Sequence, residues 1–285
     1  MGYHSIIYIF LFLPVCLFVY QLAPEKWRGR VLLGFSWIFF YLLSGKLLVY
    51  LLGTTLLTHC IGIWLTVIRM QEAKAVEGLE RKQKKAVKME YQKKGRRVLA
   101  LGIFILLGIL GYLKYFDFFT VNLSHLFGHP VLEGWRPENL LMPIGISFFT
   151  FQGMSYIIDI YRGVATVNKN PFLVALYISL FPQLVTGPIV KYKDIDSQIR
   201  NRKETLKKFS YGIERFIIGL AKKVIIADIL ADFIAWVIPY SYNVIDTPTA
   251  WLGIICYTLQ IFFDFSGYSD MAIGLGYMFG FKFME

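Results

Sequence analysis

Charged side chains are scarce in this sequence, and acidic ones scarcest. Asp, Glu, Lys and Arg make up 17% of 285 residues, with 19 acids against 30 Lys and Arg. A soluble chain of this length keeps enough polar residues to cover its surface, and this one does not. Cysteine is rare as well. Cys16, Cys60 and Cys256 all lie inside apolar runs and form no CxxC pair, which excludes a disulfide framework and a zinc ribbon. The first apolar stretch, after Met1-Gly2-Tyr3-His4, has no basic n-region and no A-x-A pattern, so it reads as a retained span and not a signal peptide. Internal repeats, low-complexity linkers and nucleic-acid recognition modules are also missing. The sequence therefore reads as one membrane domain over 1–285, and its formal charge of +11 is not assigned to nucleic acid.

What is present is apolar. Hydrophobic residues account for 56% and aromatics for 17% of the chain, and the mean hydropathy is +0.53. Runs long enough for spans of ~20 residues recur throughout, and abundant Phe and Tyr suit rings held at headgroup level. These features predict an all-α, polytopic integral membrane protein. A first span covers 4–22, closed by Pro24 and the basic patch Lys26, Arg28 and Arg30. Residues 31–68 divide at Ser44-Gly45-Lys46 into two further spans, with Lys46 snorkelling towards headgroups.

Residues 69–97 carry eleven Lys or Arg against four Glu, which marks a basic cytoplasmic loop. Met70, Ala73, Val76 and Leu79 recur at helical steps, so this stretch is either an interfacial helix drawn to anionic lipid or a solvated charged helix. Residues 98–116 return outward, 117–139 suit an outer loop, and 141–161 come back in. Residues 172–190 are just long enough to cross, yet Arg162 and Lys169 precede them and seven basic residues follow between Lys191 and Lys208. Pro182, Gly187 and Pro188 interrupt the segment. A re-entrant segment satisfies both observations, and a proline-kinked span is the alternative. With 210–238 and 250–281 added, the count is about seven transmembrane helices plus the re-entrant segment, with the N-terminus outside.

Ionisable residues at membrane depth cost ~2.5–3.5 kcal/mol on insertion scales, so they are where function is sought. Tyr257, Gln260, Asp264 and Tyr268 share one helical stripe, and Ser266 and Asp270 form a second on the opposite side. Such a helix belongs inside protein. Its DFSGYSD run is turn-like, with Gly267 as a point of unwinding, and the two readings are substrate or donor handling and a structural cluster locking helices together. Ala272, Gly276 and Gly280 form a small-xxx-small packing series. Ser147, Thr150 and Gln152, with Gln183 and Thr186, are further candidates for a hydrated path. Lys191 and Lys193 either steer a donor's phosphates or simply mark the cytoplasmic side. His59 falls in a Thr-rich turn, and His125 and His129 are four apart but lack the acid of a HExxH pattern, so no metal site is assigned.

Three strings, MPIGISFFTFQGMSYIIDIYRG (142–163), SLFPQLVTGPIVKY (179–192) and YTLQIFFDFSGYSDMAIGLGYMFGFKF (257–283), carry a resemblance. The chain resembles the membrane-bound O-acyltransferase family, in particular its alginate O-acetyltransferase branch and more distantly its teichoic acid D-alanyl transferase branch. The half before Leu141 is similar only in hydropathy. The resemblance implies a ring of tilted helices around a funnel. It also implies transfer of an acyl group from a cytosolic thioester to a hydroxyl on the outer side. Acetyl-CoA is the first candidate donor and an acyl-carrier protein the second. The acceptor would be an exopolysaccharide such as alginate or another cell-envelope glycan, reached through an extracytoplasmic partner protein at a bacterial inner membrane.

The family's catalytic histidine, a general base, stands in a Trp-His context beyond the string ending in GFKFME. This sequence ends at Glu285, and none of its four histidines has that context. The expectation is therefore an N-terminal fragment whose activity alone is doubtful, with no catalytic residue of its own and no bound cofactor. A transporter or flippase of envelope precursors and a non-catalytic scaffold are the alternatives.

Overall fold

With no water in hydrocarbon to satisfy backbone N–H and C=O groups, apolar runs of this length must close their hydrogen bonds internally, and helices do so. The computed structural model describes residues 3–128, 142–184, 190–237 and 246–283, and it is helical with no strand among them. Three helical stretches are long and apolar enough to cross a membrane, Glu25–Val76, Arg81–Phe127 and Thr247–Met278, and Tyr8–Leu22 is a shorter apolar one. Large apolar side chains such as Phe10, Phe104 and Trp236 are exposed, as a lipid-facing surface requires. The described residues divide into two compact units, one of Glu25–Phe181 with Lys191–Asp196, the other of Met1–Pro24, Pro182–Val190 and Ser197–Glu285.

In the first unit, α2 (Glu25–Ser44) ends at a 3₁₀ turn, Gly45–Leu47, where the sequence places its break; Gly45 has φ +56°, and α3 (Leu48–Val76) follows. The Thr-rich turn of the third span lies within α3, where Thr54, Thr55 and Thr58 each donate a side-chain bond to the carbonyl four residues back and His59 is buried. The basic stretch is helical too. α3 runs through it to Val76, and after a short turn α4 (Arg81–Leu110) begins, so Leu79 falls outside the amphipathic helix the spacing predicts.

The first part of the stretch expected as an outer loop, 117–139, is helical. A π turn (Gly111–Tyr115) leads into α5 (Phe116–Phe127), which continues the helix until left-handed Gly128. α6 (Ile146–Arg162) packs between α3 and α4 through small residues: a Cβ on Gly153 would lie 2.8 Å from Thr58 Oγ1, and one on Gly62 would lie 2.6 Å from Tyr156 Cε1. Its end is a Schellman cap on Gly163, φ +71°.

The proline-bearing segment is broken. α7 (Pro171–Ser179) is started by Asn170, whose side chain accepts from Phe172 N, and it stops at Leu180, where ψ is 113°. α8 (Phe181–Leu184) then resumes for four residues. Residues 174–184 are all buried. Thr186, Gly187 and Pro188 lie outside the described residues, as do His129 and residues 238–245. α9 (Tyr192–Arg200) follows, and Tyr192 stacks edge-on with Tyr156 and Tyr177 and donates to Asp196 at 2.8 Å. Tyr156, Tyr177 and Tyr192 are thus buried together inside this unit.

The second unit holds α1 (Leu13–Leu22), preceded by a π turn (Tyr8–Phe12), and its main helix pair, α10 (Leu206–Ala221) and α12 (Thr247–Met278). A π turn (Lys222–Ala227) joins α10 to α11 (Asp228–Val237). α12 is continuous through DFSGYSD, so Gly267 is not a point of unwinding. Instead it is a crossing point: a Cβ on Gly267 would lie 2.7 Å from Gly219 O, and one on Gly219 would lie 2.5 Å from Gly267 O. Gly212 and Gly274 repeat the contact at 2.6 and 2.5 Å. The reversed order of the two pairs makes the helices antiparallel. The small-xxx-small series plays another part, since Gly276 accommodates the Phe283 ring and Gly280, φ +81°, ends the helix.

Backbone atoms cannot yield to a side chain at these crossings. Gly219→Ala or Gly267→Ala should each lower the thermal unfolding midpoint in detergent, with a cost of about 1–3 kcal/mol. Gly34→Ala, which meets nothing within 4 Å, should be neutral or slightly stabilising in the same measurement.

A candidate functional site of paired charges on α10 and α12

The second unit places its ionisable residues where its two main helices touch. Asp270, buried on α12, receives Lys222 Nζ on Oδ2 at 2.6 Å and faces Arg215 Nε from Oδ1 at 2.8 Å. Lys222 also donates to Ser266 Oγ at 3.1 Å. Nearby, Lys223 Nζ lies 2.7 Å from Asp264 Oδ1 and 2.8 Å from Asp228 Oδ1. Arg215 sits in sequence between Gly212 and Gly219, and Asp270 between Gly267 and Gly274, so the ion pair lies between the two glycine crossings.

The π turn explains how two adjacent lysines reach different acids. Residues five apart lie on different faces of an α-helix, but the wider π turn swings Asp228 round to Lys223. Three cations and three carboxylates meet in the cluster, so it is charge-balanced. An unpaired charge at this depth would be expensive, and mutual pairing with additional hydrogen bonds removes most of that cost. Both carboxylate oxygens of Asp270 are engaged by cations, so its geometry favours locking and orienting the two helices.

The sequence-predicted residues fall as follows. Asp264, Ser266 and Asp270 join the cluster through the contacts just described. Tyr268 stacks on Tyr3 with ring centroids 4.7 Å apart, while Gln260 is half-buried and Tyr257 exposed. Both stripes of α12 are thus only partly inside protein, contrary to the expectation of full burial. Gln183 is buried on α8. Lys191 is exposed, and the backbone N–H of Lys193 donates to Asp159 Oδ2 at 3.2 Å. In the first unit, Gln152 and Thr150 are buried on α6 and His59 on α3. Gln152 Oε1, Thr150 Oγ1 and His59 Nδ1 have no hydrogen-bond partner among the described residues. Ser147 accepts from Lys114 Nζ at 3.2 Å. No group of three potential metal ligands occurs among the described residues.

Sequence reading missed the cations Arg215, Lys222 and Lys223, although a Lys or Arg inside the apolar run 210–238 was itself a signal.

Long apolar helices, a proline-broken buried segment and an intramembrane charge cluster define an integral membrane protein with polar machinery inside it. A family model described as "MBOAT, membrane-bound O-acyltransferase family" matches residues 46–285, and the chain belongs to that family. It is 39% identical over 288 aligned positions to the "Probable alginate O-acetylase AlgI" of Pseudomonas putida, covering 100% of this chain and 54% of that protein. It is 33% identical over 211 positions to the "Peptidoglycan O-acetyltransferase" of Helicobacter pylori, covering 65% of this chain and 39% of that one. It is 31% identical over 153 positions to the "Teichoic acid D-alanyltransferase" of Bacillus subtilis, covering 52% and 38%. The likeness extends beyond the three strings into the N-terminal half. The chain spans about half the length of the alginate relatives it matches.

Removing one member of a buried ion pair strands the others. Asp270→Asn should destabilise the protein by about 3–5 kcal/mol, read as a lower unfolding midpoint. The double variant Asp270→Asn with Lys222→Met should recover part of that loss. Asp264→Asn, at a partly exposed position, should cost much less.

Proposed function

We propose that this chain forms part of a membrane O-acetyltransferase that moves an acetyl group from a cytosolic thioester to a hydroxyl of alginate or another envelope polysaccharide. The observation that carries this reading is the identity with the alginate O-acetylase of Pseudomonas putida across the whole chain. The peptidoglycan relative supports O-acetylation of a glycan as the wider class. Acetyl-CoA is the proposed donor, with an acyl-carrier thioester second, and an extracytoplasmic acyltransferase partner completes delivery. The chemistry needs a base for the acceptor hydroxyl and donors for the oxyanion. We assign neither role to a residue of these 285. Asp270 and its cations hold the helix pair in register, and Gln152, with an unpartnered buried oxygen, lines the path of a polar substrate.

In this reading the chain crosses the inner membrane seven times as one membrane domain, with its N-terminus outside and 172–190 re-entrant. The nine residues of α7 span about 13.5 Å, well short of the ~30 Å of hydrocarbon, and the basic residues on both flanks favour entry and exit on one side. Broken helices also mark transporters, so activity and topology are tested separately.

In a cysteine-free background, Thr166→Cys and Asn201→Cys should react with a membrane-impermeant maleimide from the same, cytoplasmic side; labelling from opposite sides would rule out a re-entrant segment. Membranes carrying the complete gene product should transfer radiolabelled acetyl from acetyl-CoA to polysaccharide. Gln152→Leu should cut that transfer at least about tenfold without lowering the unfolding midpoint, because it removes an unsatisfied buried polar atom. Full activity in Gln152→Leu would end its assignment to the substrate path.

A further inference from the structure

The first unit contains a second polar feature, away from every residue assigned to acyl transfer. α3, α4 and α6 line a half-open cavity of about 420 Å³ beside the start of the basic stretch. Arg69 and Glu72 enter it from α3, Gln92 from α4, and Tyr161 and Arg162 from α6, with Leu65 among the apolar residues of its wall. Two guanidinium groups thus share one cavity. Both arginines are exposed, and neither side chain has a hydrogen bond or ion pair among the described residues. The Arg69 guanidinium packs against Gly163, where any Cβ would collide with it, so the left-handed glycine that ends α6 also makes room for this side chain. Its place beside the C-terminal end of α6 suits a cation.

Guanidinium pairs bind phosphate oxygens with matched, charge-assisted geometry. Two features identify the source of the phosphate. The cavity lies where the apolar part of α3, ending at Ile68, meets the basic residues from Arg69 on, and where the apolar part of α4, beginning at Val98, meets the same stretch. That is headgroup level for a helix pair of this kind, and the apolar wall offers a route for acyl chains. Glu72 supplies the second feature. A half-buried carboxylate on the wall opposes a purely anionic ligand but pairs with an ammonium group.

We infer that this cavity is a binding site for an aminophospholipid headgroup, with Arg69 and Arg162 on the phosphate and Glu72 on the ammonium. The site is independent of the proposed acyl transfer, and its failure would leave that proposal standing.

The test is native mass spectrometry of the full chain from nanodiscs containing equal phosphatidylethanolamine and phosphatidylglycerol. The wild type should retain phosphatidylethanolamine with a preference of about tenfold or more, a difference that two well-placed charge contacts readily supply. Arg69→Gln with Arg162→Gln should abolish retention. Lys82→Gln with Lys85→Gln, which removes the same charge outside the cavity, should leave it unchanged. Glu72→Gln, expected to fold normally at its half-exposed position, should bring the two lipids to near-equal retention. Equal retention of both lipids by the wild type would overturn the inference. So would indifference to the arginine substitutions, or displacement of the lipid by millimolar inorganic phosphate or coenzyme A, which would make the ligand a soluble phosphate.

Discussion

The contact between α10 and α12 is backbone against backbone, and the placing of charges in that half of the molecule depends on it. Glycine at 212, 219, 267 and 274 removes every side chain from two crossings, and the helices close to where Cα–H and carbonyl oxygen meet. Between those crossings Arg215 reaches Asp270, and Lys222 reaches it from just past Gly219, across a gap that longer side chains would have held open. Without a hydrophobic force between helices in lipid, such packing and pairing are the main sources of cohesion. The ions stabilise the helix pair only because the glycines bring them within reach, and the glycines hold register only because a slip would separate the ions.

The first unit solves the same problem differently. Its three long helices interlock through single small residues facing large ones, as Gly62 faces Tyr156 and Gly102 faces Ile61. The threonines of α3 donate their hydroxyls back to their own helix, which satisfies those donors without a partner on a second helix. Gln152, Thr150 and His59 are the exceptions, polar atoms kept at depth without protein partners among the described residues.

Much of this was legible in local pattern. The break after Ser44 shows as a Ser-Gly-Lys interruption, the end of α7 as an approaching proline, and the membrane class as hydropathy, because each is decided within a few residues. The charge cluster was half legible. Asp264 and Asp270 stand out in an apolar run, but Lys222 lies 48 residues from Asp270, and nothing local says that they meet. Gly267 shows the limit more sharply. In sequence a glycine amid serines and aspartates looks like a turn, and only a second glycine on another helix reveals it as a crossing. The helical continuation into α5 was hidden for a related reason: charge balance reports which side of the membrane a segment faces, and says little about its backbone.

The helical character of residues 69–97 changes what that stretch is as an electrostatic object. A basic loop would present its cations as an averaged cloud, and any acidic surface of similar charge would meet it equally well. Here they ride on the end of α3 and the start of α4, joined by a turn at Gly78, φ +81°. Each cation along either helix then stands at a fixed height, about 1.5 Å per residue, and a fixed bearing around the axis. Glu90, bridged to Lys94 at 2.8 Å, cancels charge at one set point of that pattern. Two sequences of identical composition but different order would therefore display different surfaces, and order as well as amount of charge becomes information that a partner can read.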